Sequence, residues 1–158
     1  MFRFSLEIWK SIDIGLILFS FFLLTLVFIP FIGYEANGAS RWIRLFGFSF
    51  QPSELMKFSL IVYISSYCYR RMTEFKEKWI GFWKPVLVVV LAIALVLLEP
   101  DLGSSAVIFL ISLTIMFIAG APLKQMSIIL FMGSMVFVSM IILVPVSYTH
   151  LTLPTISV

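Results

Sequence analysis

Residues 86–119 read VLVVVLAIALVLLEPDLGSSAVIFLISLTIMFIA, which is two apolar runs, Val86–Leu98 and Ala106–Ala119, held apart by seven residues that begin Glu99-Pro100-Asp101. Pro100 brings no amide N–H, Gly103 loosens the backbone, and Asp101 is well placed to cap the helix that follows. The stretch therefore predicts two apolar helices joined by a tight turn or break that carries two carboxylates. Crossing about 30 Å of hydrocarbon takes roughly 20 residues, so each run spans only by recruiting its neighbours.

The same pattern continues on both sides, in Ile14–Ile32, Leu55–Tyr69 and Ser127–Val146. Of the 158 residues 61% are hydrophobic, against roughly 45–50% in soluble domains, and a single core of this size cannot hide so much apolar surface. Lipid must cover much of it. The expected architecture is an all-α integral membrane protein, a polytopic helical bundle with five spans near residues 12–32, 52–69, 85–99, 102–119 and 126–146. Pro30 and Pro85, near span ends, shape helices. The single cysteine, Cys68, excludes an intrachain disulfide, and the single histidine, His150, excludes a histidine cluster.

Charge sets an orientation. Arg70, Arg71, Lys76, Lys78 and Lys84 crowd one loop, diluted by Glu74 and Glu77, which places that loop in the cytoplasm. By alternation Arg3, Lys10 and Lys124 also fall inside, so the N-terminus of this chain is cytoplasmic, while Gly33–Gln51 and Glu99–Gly103 fall outside. A basic loop bracketed by apolar spans reads as topology and not as nucleic-acid binding.

Three polar groupings carry the chemistry. In the outer segment Asn37-Gly38 marks a turn, and aromatic rings at Trp42, Phe46, Phe48 and Phe50 suit the headgroup level. Arg41 and Arg44 stand three apart; if Ser40–Phe46 forms a helical turn they share a face and could meet a phosphate or diphosphate, or they hold the loop to anionic headgroups. Gln51-Pro52-Ser53-Glu54 reads as a helix start with Pro52 at the first position and Glu54 at the third, where it could accept from unpaired amides. Lys57 lies one turn deeper on the face of Glu54, and a lysine inside a span needs a partner or a wet cavity. The pair either fixes the helix or shapes a polar cavity opening outward. Glu99 and Asp101 leave three readings open: helix capping, acid and base work, or a divalent cation.

Taken in order, Asn37-Gly38-Ala39-Ser40-Arg41-Trp42-Ile43, Gln51-Pro52-Ser53-Glu54 with Lys57, Pro100-Asp101-Leu102-Gly103 and Ala119-Gly120-Ala121 resemble the SEDS family of bacterial cell-wall polymerases. Gly38–Ile43, Tyr63–Arg71 and Gly81–Pro85 look closer to its division branch than to its elongation branch. The resemblance runs from about Trp9 to Ile142, and implies a piece of a ten-helix fold that lacks two earlier spans, a large outer loop and three later spans. Residues 1–146 are then a partial SEDS transmembrane domain, and 147–158 a tail unlike the family, so that His150 receives no role.

Membership implies glycosyl transfer on the outer face of the bacterial cytoplasmic membrane, polymerising lipid II with release of its polyprenyl diphosphate. It also implies a class B transpeptidase and other division proteins as partners. No cofactor is implied, and a divalent cation at Asp101 stays open. The family's catalytic aspartate lies in the outer loop beyond this chain, so neither Asp13 nor Asp101 takes its place and this piece is expected to be inactive alone. Carried over residue by residue, Glu54 and Lys57 match the polar pair of the central cavity, Arg41 and Trp42 the outer-loop motif, and Asp101 the Pro-Asp turn. Arg44 and Gln51 join them as candidates for the cavity. Glu99 departs from the glutamine common before Pro-Asp. The rival expectations are a lipid II flippase or transporter, and a noncatalytic division scaffold.

Overall fold

A computed structural model describes residues 6–29, 33–36, 39–45 and 48–143. The chain runs α1 (Leu6–Leu26), β1 (Gly33–Ala36), β2 (Ala39–Leu45), β3 (Phe48–Phe50), α2 (Pro52–Arg70), α3 (Met72–Glu77), α4 (Trp79–Leu98), α5 (Leu102–Ile118) and α6 (Leu123–Leu143). The five long helices are those the apolar runs call for. Among the described residues, Trp79–Leu98 and Leu123–Ile142 are by themselves long and apolar enough to cross a membrane, while Ile12–Leu26 and Leu102–Ile118 are shorter apolar stretches. Helix α5, at 17 residues, is about 26 Å long and matches the hydrocarbon only with its flanks.

Two helix boundaries and the outer segment depart from expectation. The first helix begins at Leu6 and stops at Leu26, and the next residues tighten, with Phe28 N–H bonding to Thr25 O and Ile29 N–H to Leu26 O. A residue before proline is driven out of the helical region, which ends this element short of Pro30. Helix α4 begins at Trp79, so that Pro85 lies inside it and not at its start. An interior proline orphans the carbonyl four residues back, here Gly81 O. Tyr67 supplies the missing donor: its hydroxyl, on α2, bonds to Gly81 O at 2.8 Å. Gly81 also has to be a glycine, because a Cβ there would stand 2.2 Å from the backbone oxygen of Glu74.

The segment after α1 folds as an antiparallel sheet in the order β1-β2-β3, with Gly33 opposite Ile43, Ile43 opposite Phe50 and a register shift between Tyr34 and Glu35. The helical turn considered for Ser40–Phe46 is therefore replaced by a strand. Positions 41 and 44, three apart in a strand, fall on opposite faces and not on one. The Asn37-Gly38 turn and Phe46 lie outside the described residues, as does everything from 144 onward, including the tail at 147–158.

Helix α1 packs chiefly on α2, α2 on α5, and α4 on α5, while α6 leans on α5. Met56, Leu60, Ile64, Phe82, Val96 and Ile108 are buried at the centre. Small hydroxyl residues let the helices approach: Ser20 and Ser59 share a hydroxyl hydrogen bond across α1 and α2, in which one donates to the other while the acceptor's own proton goes to the carbonyl four residues back. At α5–α6 the ring of Phe109 rests on Gly133, where any Cβ would collide with it at 2.3 Å. Outward lie Leu18, Phe22, Leu91, Leu110, Phe131 and Ile142, large apolar side chains suited to lipid contact.

The polar segments sort to two ends. The sheet, the start of α2 and the start of α5 share one end, since Gln51 bonds to Asp101. The end of α2, α3 and the α5–α6 turn share the other, where Lys76 lies against Gly120, which takes φ +83°. That turn closes α5 with Ala121 N–H on Met116 O and Gly120 N–H on Phe117 O, a left-handed glycine cap. This is the sorting that alternating spans require.

Candidate functional site

At the sheet end, β3 leads through Gln51 into α2, with Gln51 as N-cap in extended conformation and Pro52 at the first position, as the sequence calls for. The Gln51 side chain does not cap its own helix. It reaches across, donating from Nε2 to Asp101 Oδ2 at 3.2 Å. Asp101 caps α5: Oδ1 accepts from Ser104 N–H at 3.0 Å and Oδ2 from Ser104 Oγ at 2.7 Å. Of the three readings for Asp101, the cap is the one its geometry fulfils. No three Asp, Glu, His or Cys gather to hold a metal among the described residues. Glu99 is buried as C-cap of α4.

One turn into α2, Lys57 Nζ donates to Glu54 Oε1 at 2.7 Å, the pairing that their spacing calls for. The Lys57 side chain is 18% exposed and that of Glu54 59%. The carboxylate is therefore spent on the lysine, and the lysine is drawn out of the apolar interior toward the open side. Two helix N-termini, of α2 and α5, meet here with their partial positive charge; Asp101 already caps that of α5, and the charge of Lys57 is matched by Glu54. Strand β2 crosses above, its Ile43 buried, with Arg41, Trp42 and Arg44 along it; their side chains lie outside the described residues.

A second ion pair escaped the sequence reading. Asp13 of α1, wholly buried, accepts from the Arg70 guanidinium at the end of α2, and its other oxygen accepts from Ile14 N–H at 2.7 Å. The signal was an aspartate entering an apolar run, which demands a cation. Its partner lay 57 residues away, out of reach of local spacing.

This bundle of apolar helices, with its polar segments sorted to the two ends, defines a polytopic membrane protein. The chain matches the family described as "Cell cycle protein", which joins FtsW, RodA and SpoVE, over residues 1–152, and it belongs to that family. The match reaches into the segment 147–158. Relatives named "Probable peptidoglycan glycosyltransferase FtsW" include that of Saccharophagus degradans, 45% identical over 76% of this chain and 31% of its own length, and that of Coxiella burnetii, 37% identical over 95% and 40%. Among solved structures, Thermus thermophilus rod shape determining protein RodA superposes with a TM-score of 0.70 at 28% identity, covering 84% of this chain and 43% of RodA. A chain of a peptidoglycan synthase complex, solved in work on coordinating polymerization and crosslinking, superposes with a TM-score of 0.67 at 29% identity, covering 82% and 37%. This chain spans about a third of the length of the curated relatives it matches.

Proposed function

We propose that this chain supplies the diphosphate-holding wall of a peptidoglycan glycosyltransferase acting in bacterial cell division. The observation that carries the reading is the meeting, at one end of the bundle, of the α2 and α5 N-termini with the Glu54–Lys57 pair, locked by Gln51 and Asp101. The sheet end faces outward and the Arg70–Lys84 end faces the cytoplasm, an orientation supported by the excess of lysine and arginine at the latter. Lipid II enters from the bilayer, its prenyl tail staying in hydrocarbon. Its diphosphate meets Lys57, with Arg41 and Arg44 on the strand above.

The local machinery binds and orients. Glu54 fixes the Lys57 ammonium against the start of α2, and the Gln51–Asp101–Ser104 chain holds the two helix starts together, so the positive groups keep their geometry when an anion arrives. The base that takes the proton from the attacking sugar hydroxyl is an aspartate of the outer loop, outside this chain. The bond formed joins that oxygen to the anomeric carbon of the second sugar, and the bond broken frees the polyprenyl diphosphate. Relatives named as glycosyltransferases and a structural neighbour from a peptidoglycan synthase complex support this assignment, and the latter supports a transpeptidase partner.

In nanodiscs the chain is expected to retain labelled lipid II without extending it, and Lys57→Met to weaken retention about ten-fold, the worth of one charge-assisted hydrogen bond. Equal retention by the Lys57→Met variant removes Lys57 from the site. Glycan chains made by this chain alone overturn the placement of the base outside it, and lipid II moved between leaflets without extension favours a transporter.

A further inference from the structure

At the end of the bundle opposite the sheet, residues of α1, α2, α3 and α4 line an open cavity of about 600 Å³, quite unlike the apolar clefts between the other helices. Its walls combine Arg70, Arg71 and Lys84 with the hydroxyl-bearing Tyr63 and Thr73, while Ile14 lies at its apolar side. The acids facing it are Glu74, bonded to Arg71 at 2.9 Å, and, behind the wall, Asp13, bonded to Arg70. Three cations against two carboxylates leave a surplus positive charge, and Lys84 is exposed. Outside the lining, Tyr69, Met72, Trp79 and Ile80, in the same stretch of chain from the end of α2 to the start of α4, are each more than half exposed. In a bundle embedded in a bilayer, exposed aromatic and apolar side chains beside cations mark the level of the headgroups.

We propose that this cavity binds the phosphate of an anionic glycerophospholipid headgroup, with Lys84 and Arg71 as its cationic donors, Tyr63 and Thr73 adding hydroxyl contacts, and the acyl chains running along Ile14. The site is separate from the one proposed for lipid II, which is at the other end of α2. A lipid is the occupant because the cavity lies at the end of the bundle, where headgroups lie, and joins cations on one side to the apolar Ile14 on the other. A soluble phosphate ester would use the cations but leave the apolar side wet. Cationic pockets between helices at this level are known to favour anionic lipids.

The test uses the 158-residue chain in nanodiscs, which expose both leaflets, with phosphatidylglycerol and phosphatidylcholine in equal amounts and native mass spectrometry counting the lipids retained on release. Phosphatidylglycerol is expected to be held about ten-fold over phosphatidylcholine. Arg71→Gln with Lys84→Gln should bring that ratio below about two-fold, Lys84→Gln alone to an intermediate value, and Lys84→Arg should preserve it. Helical content by circular dichroism confirms that each variant is folded, and the conservative Lys84→Arg with the single Lys84→Gln decides the matter if the double variant is not. Lys124, exposed near the same end but outside the cavity, is the control: an equal loss in Lys124→Gln shows only a general surface attraction and overturns the proposal. Equal retention of both lipids overturns it too, and so does displacement of phosphatidylglycerol by millimolar inorganic phosphate. These outcomes are independent of lipid II retention, so failure here leaves the reading of the other end standing.

Discussion

The two ends of the bundle solve the problem of charge near hydrocarbon in opposite ways. At the sheet end, Glu54 and Lys57 pair within one helix, three residues apart, with the carboxylate mostly exposed. At the other end, Asp13 and Arg70 pair across two helices and the carboxylate is wholly buried. A local pair costs little to form, and here it keeps the lysine largely covered while the carboxylate stands in solvent. A buried pair between helices has no outside partner to meet; it fixes how α1 and α2 sit. The difference separates a pair confined to one helix, the one proposed above to bind, from a pair that joins two helices.

The sharpest way to break that comparison is to remove Arg70. Arg70→Met strands the buried Asp13 carboxylate without its cation, and a loss of about 3–5 kcal/mol is expected, read as an earlier loss of helical signal on heating in detergent micelles. Asp13→Asn should cost less, because the arginine left behind is about a third exposed and can turn to water. Asp13→Leu with Arg70→Met should recover most of the loss. If Arg70→Met melts like the unaltered chain, the pair does not hold the helices.

Next in size is the tyrosine behind Pro85. Tyr67→Phe removes the donor to Gly81 O at 2.8 Å and leaves that carbonyl buried without a replacement, an expected loss of about 1–3 kcal/mol. Replacing Pro85 by alanine in the Tyr67→Phe background restores an amide donor four residues on and should return part of that loss. Failure of the rescue would mean that the hydroxyl acts elsewhere. A smaller effect is expected at the sheet end: Glu54→Gln should lower stability by less than about 1 kcal/mol, since the pair is local and half in solvent. A larger loss would make the pair a holding device after all.

These effects also mark what could be read before the fold was known. The five helices, the start of α2 at Pro52, the Asp101 cap and the Glu54–Lys57 pair all follow from spacing within a turn or two. The Asp13–Arg70 and Tyr67–Gly81 contacts join residues 57 and 14 apart, and only packing chooses those partners. The sheet was within reach. Phe46, Phe48 and Phe50 alternate at period two beside Trp42 and Ile43, residues that favour strands, and that alternation outweighs the three-residue spacing of Arg41 and Arg44. Which end faces the cytoplasm rests on the crowding of lysine and arginine alone. Cysteine labelling from one side of sealed vesicles, at Ser49 against Glu77, would decide it.

The smallest expected effect belongs to the exposed pair Arg71–Glu74, which lies outside the spans and so tests the comparison from the watery side. The hydrogen bond from Arg71, and then its charge with those of Lys84 and Lys78, hold the Glu74 carboxyl below its ordinary value. The same contact pushes the Arg71 guanidinium up from a value already far above neutrality, so it stays charged throughout. A carboxylate whose folded value is depressed contributes stability that is fully present above its ordinary value, 4.5, and is lost as pH falls through the lower, folded one. Melting of the unaltered chain should therefore fall between about pH 4.5 and the acid side by slightly more than melting of Glu74→Gln, with the two converging above that range only after a constant offset is removed. Because both side chains reach water and salt screens them, the difference should shrink as sodium chloride is raised from low to about 1 M. A difference that persists in high salt would mean that Glu74 is held by something more than an exposed ion pair, and that the loop carrying the proposed phospholipid cavity is stiffer than its exposure implies.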